Sequence, residues 1–501
     1  MRKTFILFTV TMMLAAMFPQ GVKAQPSEPR ELTNLVIFLR FSDDEEIDHP
    51  FELIDSMFNG RTPGYLSIYN FYNALSYGKI HYNTVYTNNI HNNVIVSYVD
   101  TMPRAYFQPY SANNPIGYYP EEQPFMGVSM REAQLLGRVV RYVDSMHLVN
   151  SDVVLDGDGD GDIDNISFIV KGSTGEWASI LWPHMEYFPH DSLDYTVELN
   201  GIRPNTFNFE FEGAGPSYFG AHVFRHEMGH SLNMPDLYHY INYNGINPAG
   251  PWDMMHNPYI PNHTNAFYKH RYLHVIDDPI EITTDGDYTL RSIGSSDSRN
   301  CYYIKSSIDS TQWFTFEYRR QTDLFENGIP GSGLIAGRWN DTVPCDYSGM
   351  FANAFFDFHT VAHQYWIFRP GSDIDTVEGD IYMAHFNQSM GRSAFGPTTD
   401  PHPYLTDGTP ERSFEITNIR EDGDELTFHV HFFHHSGIDG TQTPEMKVYA
   451  VDGHIVVEGA ESETAGVFDM MGRRVENSSL PTGVYLVKVG NHSAKKVVVM
   501  N

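Results

Sequence analysis

The sequence predicts a multidomain protein in which an α/β domain is followed by an all-β sandwich domain and a small C-terminal β-sandwich module. The chain has 501 residues, which is more than one domain normally holds. In its first half, apolar runs typical of buried strands alternate with segments of helical periodicity. From Asp277 onward, short alternating stretches separated by turn residues follow one another instead, which is typical of an all-β domain.

The first half shows the order strand, helix, strand, helix. Residues 32–43 and 165–173 are apolar runs that predict two buried strands. Between them, residues 129–146 carry apolar side chains at helical spacing, and Ser129 is a suitable N-cap. A further helix is expected around His226. This alternation predicts an α/β domain over residues 25–276.

The second half divides into three segments. Residues 277–436 contain seven short alternating stretches and predict a β-sandwich. Residues 437–445 have the composition of a linker, and residues 446–501 form a last short-strand module.

The first 24 residues predict a secretory signal peptide. Arg2 and Lys3 precede an uncharged, mostly apolar run, and Val22 and Ala24 are small or aliphatic residues before a cleavage point at Gln25. The run is short for a membrane span. The mature chain is therefore expected outside the cytoplasm, without a transmembrane segment.

Charge and cysteine content limit the partners and the chemistry. The net charge of −31 argues against a nucleic-acid partner and supplies many ligands for hard cations. The two cysteines, Cys301 and Cys345, are compatible with one disulfide in an exported chain and equally with two buried thiols.

The stretch FRHEMGHSLNMPDLYHY, which begins at Phe224, contains a candidate metal site. His226 and His230 are four residues apart, so a helix places both imidazoles on one face. Glu227 follows the first histidine directly and can act as a general base without being a ligand. This motif alone also occurs by chance on polar helices.

The residues after His230 supply a candidate third ligand. Asn233 is a residue that tolerates the left-handed conformation, which would end the helix in a sharp turn. Pro235 prevents the helix from resuming, and Asp236 can then return toward the two histidines. Two imidazoles and a carboxylate around one ion predict a catalytic zinc site with an open position.

The same stretch resembles the zinc metallopeptidases typified by immune inhibitor A, a branch of the metzincin-like enzymes. Their motif is His-Glu-x-x-His-x-x-Gly-x-Pro-Asp followed by Tyr, and it is matched here by His226, Glu227, His230, Pro235, Asp236 and Tyr238. Asn233 stands where the family has glycine. Weaker similarity extends over residues 32–433.

This resemblance implies a metzincin-like catalytic domain and a zinc endopeptidase acting on extracellular proteins or peptides. A zinc-activated water would attack the peptide carbonyl, with Glu227 as general base. It also implies that Met255, in GPWDMM, is the methionine beneath the zinc site, although an ordinary core methionine is the alternative. Tyr259 is a candidate donor to a developing oxyanion, whereas His222 is expected to pack near the site or to support a ligand rather than to bind the metal.

An acidic loop predicts a second metal. Aspartates occupy alternate positions of LDGDGDGDIDNISF, and five carboxylates this close repel one another unless a cation intervenes; they are Asp156, Asp158, Asp160, Asp162 and Asp164. The first positions follow the calcium-loop pattern, but Ser167 replaces the bidentate glutamate. A structural calcium loop is expected, with a solvated acidic turn as the alternative.

The C-terminal module resembles the sorting domain of the type IX (Por) secretion system of the Bacteroidetes. The matching residues are Asp469, Gly472, Arg473, Leu480, Pro481, Gly483, Tyr485 and the terminal Lys495–Val499. The resemblance implies that type IX machinery is a partner, and that the protein is secreted or attached to the outer-membrane surface.

Two other functions remain open from the sequence. One is a non-catalytic surface adhesin or glycan-binding protein with a relic metallopeptidase domain, and the other is a zinc hydrolase acting on non-peptide amides. The intact Glu227 favours a peptidase over a relic.

Overall fold

The computed structural model divides the chain into two compact units, one up to Phe433 and one from His434. It describes residues 28–122, 128–173, 180–213, 221–238, 246–340, 342 and 363–433 of the first unit. Of the second unit it describes residues 447–451, 454–458, 465–469, 472–489 and 495–499. Strand outweighs helix in both, so the protein is a β-rich multidomain protein, as the sequence predicts at this coarse level.

The first part of the first unit contains five α-helices and ten strands among its described residues. The helices are α1 (Phe51–Asn59), α2 (Ile68–Leu75), α3 (Met130–Ser145), α4 (Ala221–His230) and α5 (Ala266–Arg271). The strands are β1 (Arg30–Arg40), β2 (Ile80–Tyr86), β3 (Ile90–His91), β4 (Val94–Ile95), β5 (Tyr98–Val99), β6 (Asp162–Ile163), β7 (Asn165–Val170), β8 (His184–Tyr187), β9 (Arg203–Pro204) and β10 (Thr206–Phe211). Short 3-10 helices lie at Arg104–Phe107, Pro120–Glu122, His190–Ser192 and Gly250–Trp252, and later in the chain at Ile381–Met383 and Gln388–Met390.

The central sheet has the order β2-β1-β7-β10-β8, with β5 also paired to β1. All its pairs are parallel except β10 with β8, which is antiparallel. Helix α3 packs on one face of this sheet, and α1, α2 and α4 pack on the other. Successive side chains of a strand point to opposite faces, and β1 is buried at every position from 32 to 39 because both of its faces are covered.

The rest of the first unit consists of two sheets around one apolar core. The strands are β11 (Ile280–Glu281), β12 (Gly286–Arg291), β13 (Cys301–Lys305), β14 (Gln312–Arg319), β15 (Gly333–Asn340), β16 (Tyr365–Ile367), β17 (Phe414–Asp422) and β18 (Glu425–Phe432). One sheet has the order β11-β13-β14-β15-β16 and the other β12-β18-β17. Their facing sides share a core that includes Phe314, Phe316, Phe414 and Phe428.

The larger of these two sheets is covered on its second side as well. Ile335 and Trp339 of β15 belong to the same apolar cluster as Phe224 and Met228 of α4. Phe267 of α5 stacks on Trp339 at 3.5 Å between ring centroids. The predicted boundary at residues 276 and 277 therefore lies inside a single compact unit.

The second unit is a small β module. Its strands are β19 (Lys447–Val451), β20 (His454–Glu458), β21 (Ala465–Asp469), β22 (Arg474–Val475), β23 (Gly483–Val489) and β24 (Lys495–Val499). They form the pair β19-β20 and the sheet β22-β21-β23-β24, around a core that includes Ile455, Val467, Val487 and Val499.

Several sequence predictions can be compared directly with these elements. The predicted helix over residues 129–146 is α3, and the Ser129 hydroxyl accepts a hydrogen bond from the Glu132 N–H at 3.1 Å. The predicted signal peptide, the linker over residues 437–445 and Cys345 lie outside the described residues. Within the described part of the chain, every helix is too short or too polar to cross a membrane.

Candidate metal centre

Helix α4 positions the two histidines of the candidate site. Its ten residues end at His230, and both His226 and His230 are buried on the face that the i, i+4 spacing defines. Gly229 lies between them and allows the side chain of Met255 to pack closely against the helix, since a Cβ at this position would lie 2.9 Å from the Met255 sulfur. Met255 is fully buried beneath this turn of the helix. Its sulfur lies against the helix at Gly229, between the two histidines in the sequence.

The turn that follows α4 brings Asp236 back to the histidines. Asn233 has a φ of 64°, the left-handed conformation that the sequence predicts at this position. Its N–H donates to the His230 carbonyl at 2.7 Å, and the Met234 N–H donates to the Gly229 carbonyl at 3.2 Å. These two bonds close the end of the helix and reverse the chain within three residues.

Replacing Asn233 tests this turn. Alanine at a left-handed position costs about 1–2 kcal/mol, whereas glycine has no Cβ to clash. Asn233→Ala is therefore expected to lower the melting temperature of the metal-free chain and its zinc affinity, and Asn233→Gly to preserve both. Equal melting temperatures for the two variants would show that the left-handed conformation does not matter here.

Three ligand atoms converge after this turn. The Nε2 atoms of His226 and His230 lie 2.9 Å and 3.1 Å from Oδ1 of Asp236. The two Nε2 atoms are 3.2 Å apart. Ligand atoms in a zinc tetrahedron with bonds of about 2.0–2.1 Å lie about 3.3–3.4 Å from one another. The observed triangle is smaller by only a few tenths of an ångström, so this donor set fits zinc.

Hydrogen bonds on the far side of each ring fix the tautomers. Nδ1 of His226 faces the Met254 carbonyl at 2.9 Å, and Nδ1 of His230 faces the Met234 carbonyl at 2.7 Å. A carbonyl oxygen only accepts, so each Nδ1 carries the proton and each Nε2 of a neutral ring presents a lone pair. Two lone pairs and a carboxylate oxygen then face one another, and only a cation between them relieves the repulsion.

The titration behaviour agrees with a cation site. Burial lowers the pKa of His226, but the hydrogen bond and charge of Asp236 outweigh burial and raise that pKa to about 9. Burial works to raise the pKa of Asp236, yet the two imidazoles hold it well below its usual range. In the absence of metal, a proton therefore occupies the position that a metal ion would take.

Glu227 stands beside this triangle without belonging to it. It is 8% exposed, and its carboxylate has no hydrogen bond or ion pair among the residues that the structure describes. Glu210 of β10 lies nearby: burial raises the pKa of Glu210 to about 8, and the charge of Glu227 adds to the shift. A buried, uncommitted carboxylate next to the ligands is available to accept a proton.

The comparisons with known proteins give no family. No protein-family model matches this chain. A search of curated proteins likewise finds no match. Five solved chains match, among them HBP35 of Porphyromonas gingivalis at 20% identity and a TM-score of 0.11. The alignment covers 22% of this chain and 52% of that one, so the chain spans about half of that structure, and a TM-score this low supports no argument.

Two tyrosines near the site differ in their contacts with the candidate ligands. The ring of Tyr238 stacks against His226, with centroids 6.0 Å apart. Tyr259 is 74% exposed and its ring lies 5.0 Å from that of His222. Within the described residues, Tyr259 contacts His222 and Asn257 and makes no contact with His226, His230 or Asp236.

The acidic loop brings together three of its five aspartates. Asp156, Asp158 and Asp164 each offer an oxygen within 4.8 Å of the others, whereas Asp160 and Asp162 are not part of this group. Asp164 also accepts the Thr33 and Gly157 N–H groups at 2.7 and 2.8 Å, and burial raises its pKa to about 6. A cavity of about 160 Å³ lies between the loop and the turn after α4; it is lined by residues that include Asp158, Asp160, Asp164, Ser231, Leu232 and Asn233.

A further cluster was not singled out by the sequence. Asp48, His49 and Glu212 could also hold a metal by proximity. The ammonium of Lys171, however, lies 3.2 Å from Asp48 and 3.1 Å from Glu212. A cation of the protein already neutralises these carboxylates, so the cluster is an ion-pair network.

Proposed function

We propose that this chain is a secreted zinc-dependent endopeptidase, with a metzincin-like catalytic domain in its first unit. The observation that carries the proposal is the triangle of two imidazoles and one carboxylate, with all three ligand atoms within 3.2 Å of one another. Glu227 follows His226 in the chain, and its charge helps to raise the pKa of His226. Three protein ligands with a neighbouring carboxylate are typical of hydrolytic zinc sites.

The residues of the site have two roles, metal binding and proton transfer. When bound, zinc would supply Lewis acidity toward a carbonyl and lower the pKa of a water molecule. His226, His230 and Asp236 would hold the ion. Glu227 takes a proton from the attacking water and delivers it to the leaving nitrogen, so one carboxylate acts first as base and then as acid. Burial of Glu227 limits competition by bulk water for that proton.

Strand β8 supports a polypeptide as substrate. It is the last strand of its sheet among the described residues, and α4 packs against both β8 and β10. An extended peptide can add to such an edge through main-chain hydrogen bonds, whatever its side chains. We therefore place the substrate backbone along β8.

Metal analysis beside a peptide-library digest of the purified mature chain tests the proposed function. Absence of zinc, or absence of cleavage with zinc present, contradicts it.

We further propose that the acidic loop binds calcium as a structural ion. The supporting observations are the three converging carboxylates and the cavity beside them.

The proposal that the type IX machinery exports the protein rests on the N-terminal segment and on the matching residues of the second unit. That unit has its own core, which suits a sorting module.

Calcium removal is expected to lower the melting temperature of the zinc-loaded chain by several degrees, because a ligand at 100 times its Kd stabilises by about 2.7 kcal/mol. Asp158→Asn should abolish the response to added calcium at constant zinc. Asp162→Asn is the matched control and should keep the response, since Asp162 lies outside the cluster. A melting temperature that ignores calcium in the wild type contradicts the site.

A further inference from the structure

One peptide group connects a buried carboxylate to a metal ligand. The Met254 carbonyl accepts the hydrogen bond from Nδ1 of His226 at 2.9 Å. The N–H of the same peptide group, which belongs to Met255, donates to Oδ1 of Asp253 at 2.9 Å. Asp253 is fully buried. The order carboxylate, peptide, imidazole and metal position is therefore continuous.

Such a chain of hydrogen bonds transmits charge. A carboxylate at the N–H end polarises the peptide group, which makes its carbonyl oxygen a stronger acceptor. A stronger acceptor draws the Nδ1 proton of the imidazole and makes Nε2 a better electron donor. A carboxylate bound directly to a ligating histidine has this effect in many metal sites. Here the peptide group stands between the two.

The second histidine lacks this arrangement. Nδ1 of His230 donates to the Met234 carbonyl, whose peptide nitrogen belongs to Pro235. Proline has no N–H, so no carboxylate can act on that peptide group in the same way. The two imidazoles are thus supported unequally, and Asp253 acts on His226 alone.

Several hydrogen-bond donors surround the carboxylate of Asp253. Its Oδ2 accepts hydrogen bonds from the Thr264 hydroxyl at 3.1 Å and from the backbone and side chain of Asn265 at 2.7 and 2.8 Å. Burial raises the pKa of Asp253 to about 6, against the pull of these donors and of Arg319. The hydrogen-bond donors on both carboxylate oxygens favour the ionised form of Asp253.

A positive charge from the β-sandwich part of the unit lies near Asp253 and lowers its pKa. Arg319 lies at the end of β14, on the side opposite the Phe314 core. Its guanidinium donates to the Trp252 carbonyl at 2.8 Å and pairs with Glu326 at 2.7 Å. This places β14, a strand of the larger of the two sheets, in direct contact with the loop that carries Asp253.

We infer that Asp253 is a positioning residue of the metal site, which strengthens His226 as a ligand through the Met254–Met255 peptide group. The inference rests on the proposed zinc site. Its consequence is that Arg319 of β14, which contacts the Trp252 carbonyl, supports the metal centre from the β-sandwich part of the unit.

The test moves the negative charge from residue 253 to residue 265 and keeps the side-chain hydrogen bond between these two residues, although the N–H of residue 265 loses its acceptor. In the double variant Asp253→Asn/Asn265→Asp, the new asparagine can donate to the new aspartate, and an aspartate still caps α5, where Asn265 accepts the Tyr268 N–H. Zinc affinity is measured by competition with a chelator, and the melting temperature is measured on the metal-free chain. We expect the Kd for zinc to rise about tenfold or more, the range for loss of an outer-shell partner. Asp253→Asn alone should do the same if it folds.

Thr264→Val is the matched control. It removes one hydrogen bond from the same carboxylate but leaves its charge and its bond to Met255, so it should lower the melting temperature and keep the zinc Kd within about twofold. A double variant with wild-type zinc affinity, or a Thr264→Val variant that loses as much affinity as the double variant, overturns the inference. A wild-type chain that binds no zinc instead contradicts the proposed function.

Discussion

Glu227→Gln is expected to abolish peptide hydrolysis by the purified chain while leaving its zinc content unchanged. Glutamine has nearly the shape of glutamate but cannot accept the proton of the attacking water. Loss of a positioned general base lowers rates by about 10²–10⁴-fold. Casein digestion gives the qualitative result, and the initial rate on one cleavable peptide gives the magnitude.

The neighbouring Glu210 supplies the control. Its pKa of about 8 keeps it protonated at pH 7, so Glu210→Gln replaces one neutral group by another of similar shape. Hydrolysis at pH 7 should therefore stay close to wild type in that variant. If Glu227→Gln cleaves casein at the wild-type rate, another group is the base; if neither the wild type nor the variant cleaves, the adhesin and the non-peptide hydrolase regain support.

The parts of the metal centre that the sequence predicts are those encoded by neighbouring residues. Helical spacing places His226 and His230 on one face, and the left-handed turn at Asn233 follows from the short stretch up to Pro235. Asp236 is only six residues beyond His230. Each of these relations depends on local backbone geometry, which sequence periodicity and turn chemistry describe well.

The parts that the sequence misses depend on contacts between distant segments. In β14, apolar Phe314 and Phe316 alternate with polar residues, a pattern that normally indicates one face in solvent. Glu317 and Arg319 are nevertheless buried, because they pair with each other and Arg319 also pairs with Glu326. Alternation alone cannot distinguish a solvated face from an internally neutralised one, so the sequence does not show that this face of β14 is buried.

The acidic loop shows a similar limit. Five alternating aspartates predict a shared cation, but the structure brings only Asp156, Asp158 and Asp164 together. Gly159 and Gly161 both have positive φ, so the loop does not follow a simple alternating path between them. The sequence therefore predicts the presence of a cluster, while its membership depends on the turns.

Asp236→Ala is expected to raise the Kd for zinc by more than about 100-fold, beyond the 10–100-fold loss typical of an outer-shell partner. The variant leaves two imidazoles, whose lone pairs face each other at 3.2 Å without the carboxylate that attracts a cation to them. Zinc stoichiometry of the dialysed chain is the first measurement. The second is the rise in melting temperature on adding zinc, which depends on [Zn²⁺]/Kd and should disappear in the variant.

Asp48→Ala controls for the other cluster of potential ligands. It removes a carboxylate beside His49 and Glu212, where Lys171 already provides the positive charge, so zinc content should stay at the wild-type value. If Asp236→Ala keeps its zinc and Asp48→Ala loses it, the ion binds at the wrong cluster for Glu227 to act. If both keep it, the third ligand is another residue, and the returning turn after α4 has a purely structural role. Zinc loss in Asp236→Ala alone is the result compatible with the three-ligand site, because the Asp236 carboxylate lies within 3.1 Å of Nε2 of both His226 and His230.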